Sequence, residues 1–389
     1  MILLLFGFWC SAVLLAWAYV GYPLFAATGL ARVLRQPRRS AGAPTGCVLL
    51  VPAHNEQEVI EAKIRNGLAL AWAGDGRLDV VVVSDGSTDR TEELARRYAS
   101  QTDRVRLIVC PQRRGKNAAL NAAVAELDPP PDCLLLFTDA NAIFDTGAAS
   151  ELARVLEGGA ACAIGKLTFV DAATDTARAE GLYWRYENWI KRSEGAVGRA
   201  IAANGAILAA RRRDVPELPS GVPNDWWIPL TLLARDRRVE YAPAAEAVEA
   251  APQRKGEEFS RKVRMANRQM TGVLRIWRDL DAATRFQVVS HKLLRWLGLP
   301  LILIATASGF GLALVRPAYL VPVALLLAPG VFALVSVALG RVGLSVPLGR
   351  FAVHFFLVHS AAFIGVWEAV AGRRRSTWDA APTSRRMTR

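Results

Sequence analysis

VVVVSDGSTDRTEELA (residues 80–95) and LLLFTDANAIFD (residues 134–145) are each an apolar run that stops abruptly at a carboxylate, Asp85 in one and Asp139 in the other. A buried parallel strand reads as a continuous Val/Leu/Ile run rather than as an alternating one. Ligands of open α/β sheets bind beyond the carboxyl ends of such strands. Two acids carried to the same sheet edge predict a site for a polar ligand and its cation.

The surrounding sequence keeps the same rhythm. CVLLVPAHNE (47–56) is a strand and its turn, followed by a helical period through Ala71; VRLIV (105–109) is a strand, GKNAALNAAVAEL (115–127) a helix, and CLLLFTDAN (133–141) a strand. Thr88 or Asp89 is placed to cap the helix that runs through Tyr98. Strands alternating with helices predict a Rossmann-like α/β domain, a mostly parallel sheet with helices on both faces. Downstream, residues 176–199 form one long helix, VPNDWWIPLTLLARD (222–236) a loop and helix, RVEYAP a strand, and residues 257–277 a basic amphipathic helix suited to a membrane interface.

The 389 residues are 52% hydrophobic with a formal charge of +13. That balance is too apolar for a purely soluble enzyme and too charged for a bare helix bundle. Residues 1–30 carry no charge and are long enough to span a bilayer, without the basic start of a signal peptide; they read as an uncleaved anchor. Arg32, Arg35, Arg38 and Arg39 follow the anchor, in a basic linker over 31–45, and Arg373, Arg374 and Arg375 open a basic tail over 373–389. The pattern predicts a multi-pass protein of the cell (inner) membrane, in contact with its lipids, with a cytoplasmic catalytic domain over 46–280. No RNP motif or zinc-finger spacing accompanies the charge, so nucleic acid is not an expected partner. The five cysteines show no paired spacing and suit a reducing compartment.

Residues 281–372 hold an interfacial helix and further spans at about 297–315, 318–339 and, more weakly, 351–370. Three crossings after a cytoplasmic domain would leave the Arg-rich tail outside. The sequence therefore predicts that one segment only dips into the membrane, and the last, with His354, His359 and Glu368, is the expected one.

VPAHNEQ (51–57), SDGSTD (84–89), RRGKNAALN (113–121) and TDAN (138–141), in this order after successive strands, resemble the family 2 inverting glycosyltransferases of GT-A fold. The cellulose, hyaluronan and poly-N-acetylglucosamine synthases are the most similar branch. The resemblance implies a UDP-sugar donor, Mg²⁺ or Mn²⁺, a glycan acceptor at the cytoplasmic membrane face, and partner subunits of a polysaccharide synthase. It implies that Pro52, Ala53 and Glu56 line the base pocket, that Asp85 holds the uridine, and that Lys116 neutralises the diphosphate. Asp85 also fits the ordinary turn aspartate of a DGS loop, and Lys116 an exposed first-turn lysine.

TDAN stands where the family carries a D-x-D metal motif, so Asp139 and Asn141 are the implied metal ligands, with a neutral amide in place of the second acid. The implied base is Asp225, the single acid of VPNDWWIP; capping the next helix is its plain alternative. Trp226 is expected to offer a sugar platform beside it, and Asn204 and Gly205 to contact the acceptor. Arg261 and Arg264, on one helix face, stand in place of the processive synthases' Q-x-x-R-W motif and would clamp the diphosphate. That degraded motif also admits a polyprenyl-phosphate acceptor without polymerisation, and Asn141 admits a non-catalytic sugar-nucleotide-binding subunit.

Overall fold

The chain is described here from a computed structural model covering residues 1–28, 34, 42–170, 175–250, 255–341, 344 and 349–375. Most of the expected linker, and the tail beyond residue 375, lie outside the described residues. Helix α1 (Ile2–Ala16) passes through a π-helical turn at Trp17–Gly21 into α2 (Tyr22–Ala27). Then β1 (Cys47–Ala53), α3 (Ile60–Leu68), β2 (Leu78–Asp85), α4 (Thr91–Gln101), β3 (Val105–Cys110), α5 (Lys116–Leu127) and β4 (Leu134–Thr138) alternate as the sequence predicts. They are followed by β5 (Ile143–Phe144), α6 (Ala148–Glu157), β6 (Cys162–Val170), α7 (Asp175–Ala196), β7 (Ile207–Arg211), α8 (Asn224–Ala234), β8 (Val239–Ala250) and α9 (Lys255–Ile276). After α10 (Ala282–Gln287) a second π-helical turn at Val288–Leu293 leads into α11 (Leu294–Trp296), α12 (Gly298–Ala313), α13 (Leu320–Arg341) and α14 (Gly349–Val370).

The strands form one sheet in the order β3-β2-β1-β4-β7-β6-β8-β5. The first four are parallel; β7 enters antiparallel between β4 and β6, β8 is parallel to β6, and β5 is antiparallel to β8. All seven residues of β1 are buried, because the central strand packs helices on both faces. Its side chains alternate accordingly: Val48 and Leu50 join the core under α5 and α8, while Cys47, Leu49 and Val51 join the core under α3, α4 and α6. The strand order reverses between β1 and β4, and their pairing ends at Leu50 and Phe137. A crevice therefore opens at the topological switch point, where α/β sheets bind ligands.

Among the described residues, three helical stretches, Ile2–Ala27, Pro317–Arg341 and Phe351–Val370, are long and apolar enough to cross a membrane. One further helical stretch is bent. Ala282–Trp296 and Gly298–Ala313 meet at a 66° bend. The sequence Gly298-Leu299-Pro300 accounts for the break, since proline lacks an amide donor and disfavours helix in the residue before it. By contrast α14 packs closely on α9. A Cβ on Gly365 would lie 2.3 Å from the Val263 carbonyl oxygen and 2.9 Å from the Ala266 Cβ. Beyond α14, Asn267 of α9 donates from Nδ2 to the Arg373 carbonyl at 2.8 Å and accepts the Arg375 amide at 3.1 Å. The start of the basic tail thus lies against the helix that carries Arg261 and Arg264.

This contact predicts a specific lesion. Gly365→Leu should separate α9 from α14 at a cost of about 1–3 kcal/mol, read as a lowered thermal midpoint in detergent.

Candidate active site

Three loops meet at the β1–β2–β4 edge. After β1, His54 Nδ1 lies 2.8 Å from the Asp85 carbonyl, Asn55 Oδ1 accepts the Thr88 amide at 2.7 Å, and the buried Glu56 donates its amide to Thr91 Oγ1 at 2.8 Å. Asp89 Oδ1 accepts the Thr91 amide at 2.9 Å just ahead of α4, but Arg90 is the capping residue and no side chain caps that helix, so neither Thr88 nor Asp89 takes the expected capping place. Gly86 sits at φ 64, and a Cβ there would lie 2.7 Å from the Arg113 amide nitrogen, so the SDG turn requires its glycine.

Asp85 is 4% exposed, and its two carboxylate oxygens accept the amides of Arg114 (2.7 Å) and Gly115 (2.8 Å). Both bonds fasten the RRGK loop to the end of β2. Lys116, the first residue of α5, then reaches across the crevice and donates to Asp139 Oδ1 at 2.5 Å. The Lys116 side chain is nearly buried and that of Asp139 partly open. Neither the turn aspartate nor the exposed lysine describes these two residues.

Gly205 marks the centre. The position of its missing Cβ lies 3.3 Å from Asp139 Oδ2, 3.7 Å from Asp225 Oδ2 and 3.7 Å from Lys116 Nζ. Residues scattered over 110 positions of sequence are therefore gathered around one backbone atom that carries no side chain. Asn204 is buried; its amide lies 3.4 Å from the Gly165 carbonyl, and its Oδ1 has no hydrogen-bond partner. An orphaned buried acceptor at this place is an open position for a hydroxyl or water.

Asp225 lies in the first turn of α8, but Pro223 is the capping residue and no side chain caps that helix. Burial pushes its carboxyl above the ordinary aspartate value, and the nearby Asp139 charge adds to this; Lys116, Lys191 and Arg268 oppose it. Its neighbour Trp226 is not a sugar platform. The ring is 1% exposed, abuts Gly272 of α9 and lies 6.3 Å from the Trp296 ring, so it belongs to the core. Trp227 is turned aside, its indole donating to the Glu217 carbonyl at 3.0 Å.

Four charged residues not singled out from the sequence face this site. Glu249 stands near the end of β8. The antiparallel register Ile143↔Val248 puts it opposite Ala142, next to Asn141. Burial raises its carboxyl to about 7, with Asp139 adding to the shift and Arg261, Lys116 and Lys63 opposing it. Lys63 is fully buried under the TDAN loop, donating to the Ala142 carbonyl at 2.5 Å and lying 4.0 Å from the Phe144 ring centre; burial lowers its ammonium to about 7. Arg268 faces Asp225, and burial depresses its guanidinium. Arg268 follows Arg261 by seven residues and Arg264 by four, a helical spacing legible in sequence; Glu249, an acid at a strand end, obeys the rule that finds Asp85 and Asp139. The fourth, Lys191, lies amid the aromatic residues of α7 and gives no such signal.

The oxygen donors here are of the hard type that Mg²⁺ and Mn²⁺ take. Among the described residues no three His, Cys, Asp or Glu side chains converge on one point. Asp139 and Asn141 each carry an oxygen donor of this type.

Residues 48–217 match the family model for glycosyl transferase family 2. That stretch of the chain is similar to the family 2 glycosyltransferases. A mannosyltransferase from Pyrobaculum calidifontis, solved in complex with GDP-Man and Mn²⁺, shares the fold with a TM-score of 0.66, covering 94% of this chain and 99% of that one at 21% identity. The sheet and its helices are thus of GT-A type. Glycosyltransferase AglD of Haloferax volcanii is 26% identical over 282 residues, 69% of this chain and 43% of its own length. Succinoglycan biosynthesis protein ExoU of Rhizobium meliloti is 31% identical over 147 residues, 38% of this chain and 40% of its own. The chain spans less than half the length of these curated relatives.

Asp85→Asn tests the loop fastening. An amide side chain offers one acceptor oxygen where two are used, at a cost of about 1–3 kcal/mol. The expected result is a raised KM for the donor and faster proteolysis at Arg113 or Arg114, with the domain still folded.

Proposed function

We propose that the chain transfers a sugar, with inversion, from a nucleoside diphosphate sugar to an acceptor at the cytoplasmic face of the cell membrane. The observation that carries this reading is the convergence of Asp139, Lys116 and Asp225 around Gly205. A leaving diphosphate needs its charge neutralised, and an attacking hydroxyl needs its proton removed, on opposite sides of the transferred sugar. Lys116 and Arg261 supply fixed positive charge on the Asp139 side. Asp225, desolvated yet flanked by cations, takes the proton on the other side.

Pro52, Ala53 and Glu56 line the β1 side of the crevice and suit a uracil base, which makes a UDP-sugar the donor to try first; the Pyrobaculum mannosyltransferase holds GDP-Man. Asp85 acts on the donor through the loop it fastens. A bound Mg²⁺ or Mn²⁺, held by Asp139 and Asn141, would neutralise the diphosphate. The orphaned Asn204 oxygen, beside Gly205, would accept a hydroxyl of the acceptor. The apolar helices, and the basic tail lying against α9, suit a multi-pass inner-membrane protein with its catalytic domain in the cytoplasm. A cell-surface polysaccharide is the product class that the relative named for succinoglycan biosynthesis suggests. Arg268 favours one second reading: a cation on the base side of the site suits an acceptor that carries a phosphate, such as a polyprenyl phosphate.

Asp225→Asn should lower turnover about 10²- to 10⁴-fold while the donor still binds, measured with labelled UDP-sugars on membranes. The base works only when deprotonated, so turnover falls as pH drops through its raised value. The acidic limb of the rate profile should stand above the ordinary aspartate value of about 4 and disappear in Asp225→Asn. EDTA should abolish turnover and Mg²⁺ or Mn²⁺ restore it; turnover that survives chelation removes the metal from the reading.

A further inference from the structure

Two asparagines of the RRGKNAALN stretch have no part in the transfer as described. Asn117 and Asn121 lie four residues apart on one face of α5, directly after Lys116. Asparagine is a poor helix former, and alanine would serve α5 better, so both side chains answer to something outside the helix. Asn117 is buried, and its amide donates to two carbonyls at once, Pro219 at 2.7 Å and Val222 at 2.8 Å. Asn121 donates to the Leu218 carbonyl at 2.9 Å and accepts the Leu218 amide at 3.1 Å.

All four bonds fall on the loop that leads into α8. That loop, VPELPSGVP (215–223), contains Pro216, Pro219 and Pro223, none of which has an amide to donate. Side chains from three helices meet its carbonyls instead. Besides the two asparagines of α5, the Trp227 indole of α8 donates to Glu217 at 3.0 Å and Arg275 of α9 to Ser220 at 3.2 Å. Gly221 turns the chain at φ 75, and Val222 packs so close to α9 that a Cβ on Gly272 would lie 2.8 Å from it. From Val222 the path to the base is short: Pro223 precedes α8, and Asp225 sits in its first turn. The Asp225 carbonyl in turn accepts the Ala203 amide at 3.0 Å, next to Asn204 and Gly205.

One helix therefore reaches both halves of the site. The first residue of α5 is Lys116, on the diphosphate side; the second, Asn117, holds the loop that delivers the carboxylate. Lys116 Nζ and Asp225 Oδ2 each lie 3.7 Å from the same point, the place of a Gly205 Cβ. Asp85 fastens the chain just ahead of α5, so a shift of the loop against α5 is a shift of the base against the leaving-group side.

We infer that Asn117 is a positioning residue for Asp225, its two bonds setting the carboxylate in place relative to the lysine that neutralises the diphosphate. The inference rests on the reading of Asp225 as the base. Asn121 attaches the same loop farther back, at Leu218, and leaves the final placement to Asn117.

The test uses the full chain in native membranes supplied with labelled UDP-sugars, turnover being counted per donor-binding site. Asn117→Ala, Asn121→Ala and Asp225→Asn are made singly, and Asn117→Ala also in the Asp225→Asn background. Asn117→Ala should lower kcat about 10- to 100-fold with the donor KM within about twofold, because the base is displaced and the donor half is not. Asn121→Ala breaks as many bonds and should stay near the wild-type rate. On the residual turnover of Asp225→Asn, read over long incubations, Asn117→Ala should have no further effect. Equal losses for the two asparagine variants would show that the loop needs only to be attached, and would overturn the inference. So would an equal fold-loss in both backgrounds, or a donor KM that rises as kcat falls. Should Asn117→Ala not fold, Asn117→Ser keeps one donor for the two carbonyls, and the same comparisons decide. A wild-type rate for Asn117→Ala beside a slow Asp225→Asn overturns the inference alone; a wild-type rate for Asp225→Asn overturns the base reading and the inference with it.

Discussion

The site depends on one carboxylate accepting two backbone amides. Asp85 leaves the end of β2 and is met by the amides of Arg114 and Gly115, so the loop between β3 and α5 can take one path only. That path sets the first residue of α5, and with it the reach of Lys116 to Asp139 across the switch point of the sheet. Charge-assisted bonds from backbone amides to a buried carboxylate are among the stronger hydrogen bonds, and they leave the carboxylate little freedom. Asp85 therefore acts on the site as a structural acid: it shapes the crevice by holding chain.

The parts of the fold legible in the sequence are those where one physical rule acts alone. A central parallel strand buried on both faces must be apolar throughout, so β1, β2 and β4 announce themselves, and the polar loops that follow mark the edge where a ligand sits. Rules in competition are harder to read. Trp226 stands next to an acid in a loop-like stretch, which suits a sugar platform, but two turns of α8 bury the ring against Gly272 and Trp296, and hydrophobic burial decides. The last apolar segment carries histidines and a glutamate, which suit a dipping helix. Gly-Leu-Pro at 298–300 marks a bend between the expected interfacial helix and the apolar helix after it, where proline interrupts the helical hydrogen bonds. An ionic cluster on α7, in which the His291 ring lies between Glu187 and Glu194, was illegible for another reason. Its members come from α2, α7 and the turn before α11, and only the packing of those helices shows that Glu187 and His291 face each other.

The charges of the site explain one another when taken together. Asp139 lies in the field of both Asp225 and Glu249, and like charges so placed repel unless cations intervene. The cations arrive from separate elements: Lys63 from α3, Lys116 from α5, Lys191 from α7, Arg261 and Arg268 from α9. Five cations face three carboxylates, so the site holds an excess of positive charge, and an entering anion would exchange with the existing pairs. Lys116 is the natural member to exchange, because its bond is to Asp139 and its neighbour Asn141 brings no charge of its own. A second carboxylate at position 141 would tie the metal more strongly to the protein. With asparagine there, a cation bound as proposed would draw more of its coordination from the donor phosphates, and metal and donor should then bind as one unit.

The same reasoning extends toward the membrane. A cluster of two glutamates, two lysines, an arginine and a histidine is an expensive way to join helices, since apolar side chains of similar volume would pack at least as well. Ionic groups differ from apolar ones in one respect that matters here: their balance depends on every member being in place. Tyr22 and the turn at Trp17–Gly21 belong to the segment that leads in from the first apolar helix, while His291, Lys292 and Arg295 precede the bend at Gly298. If either segment shifts, Glu187 and Glu194 lose partners. The cluster therefore ties the seating of α7 to that of the first apolar helix and of the segment before the bend.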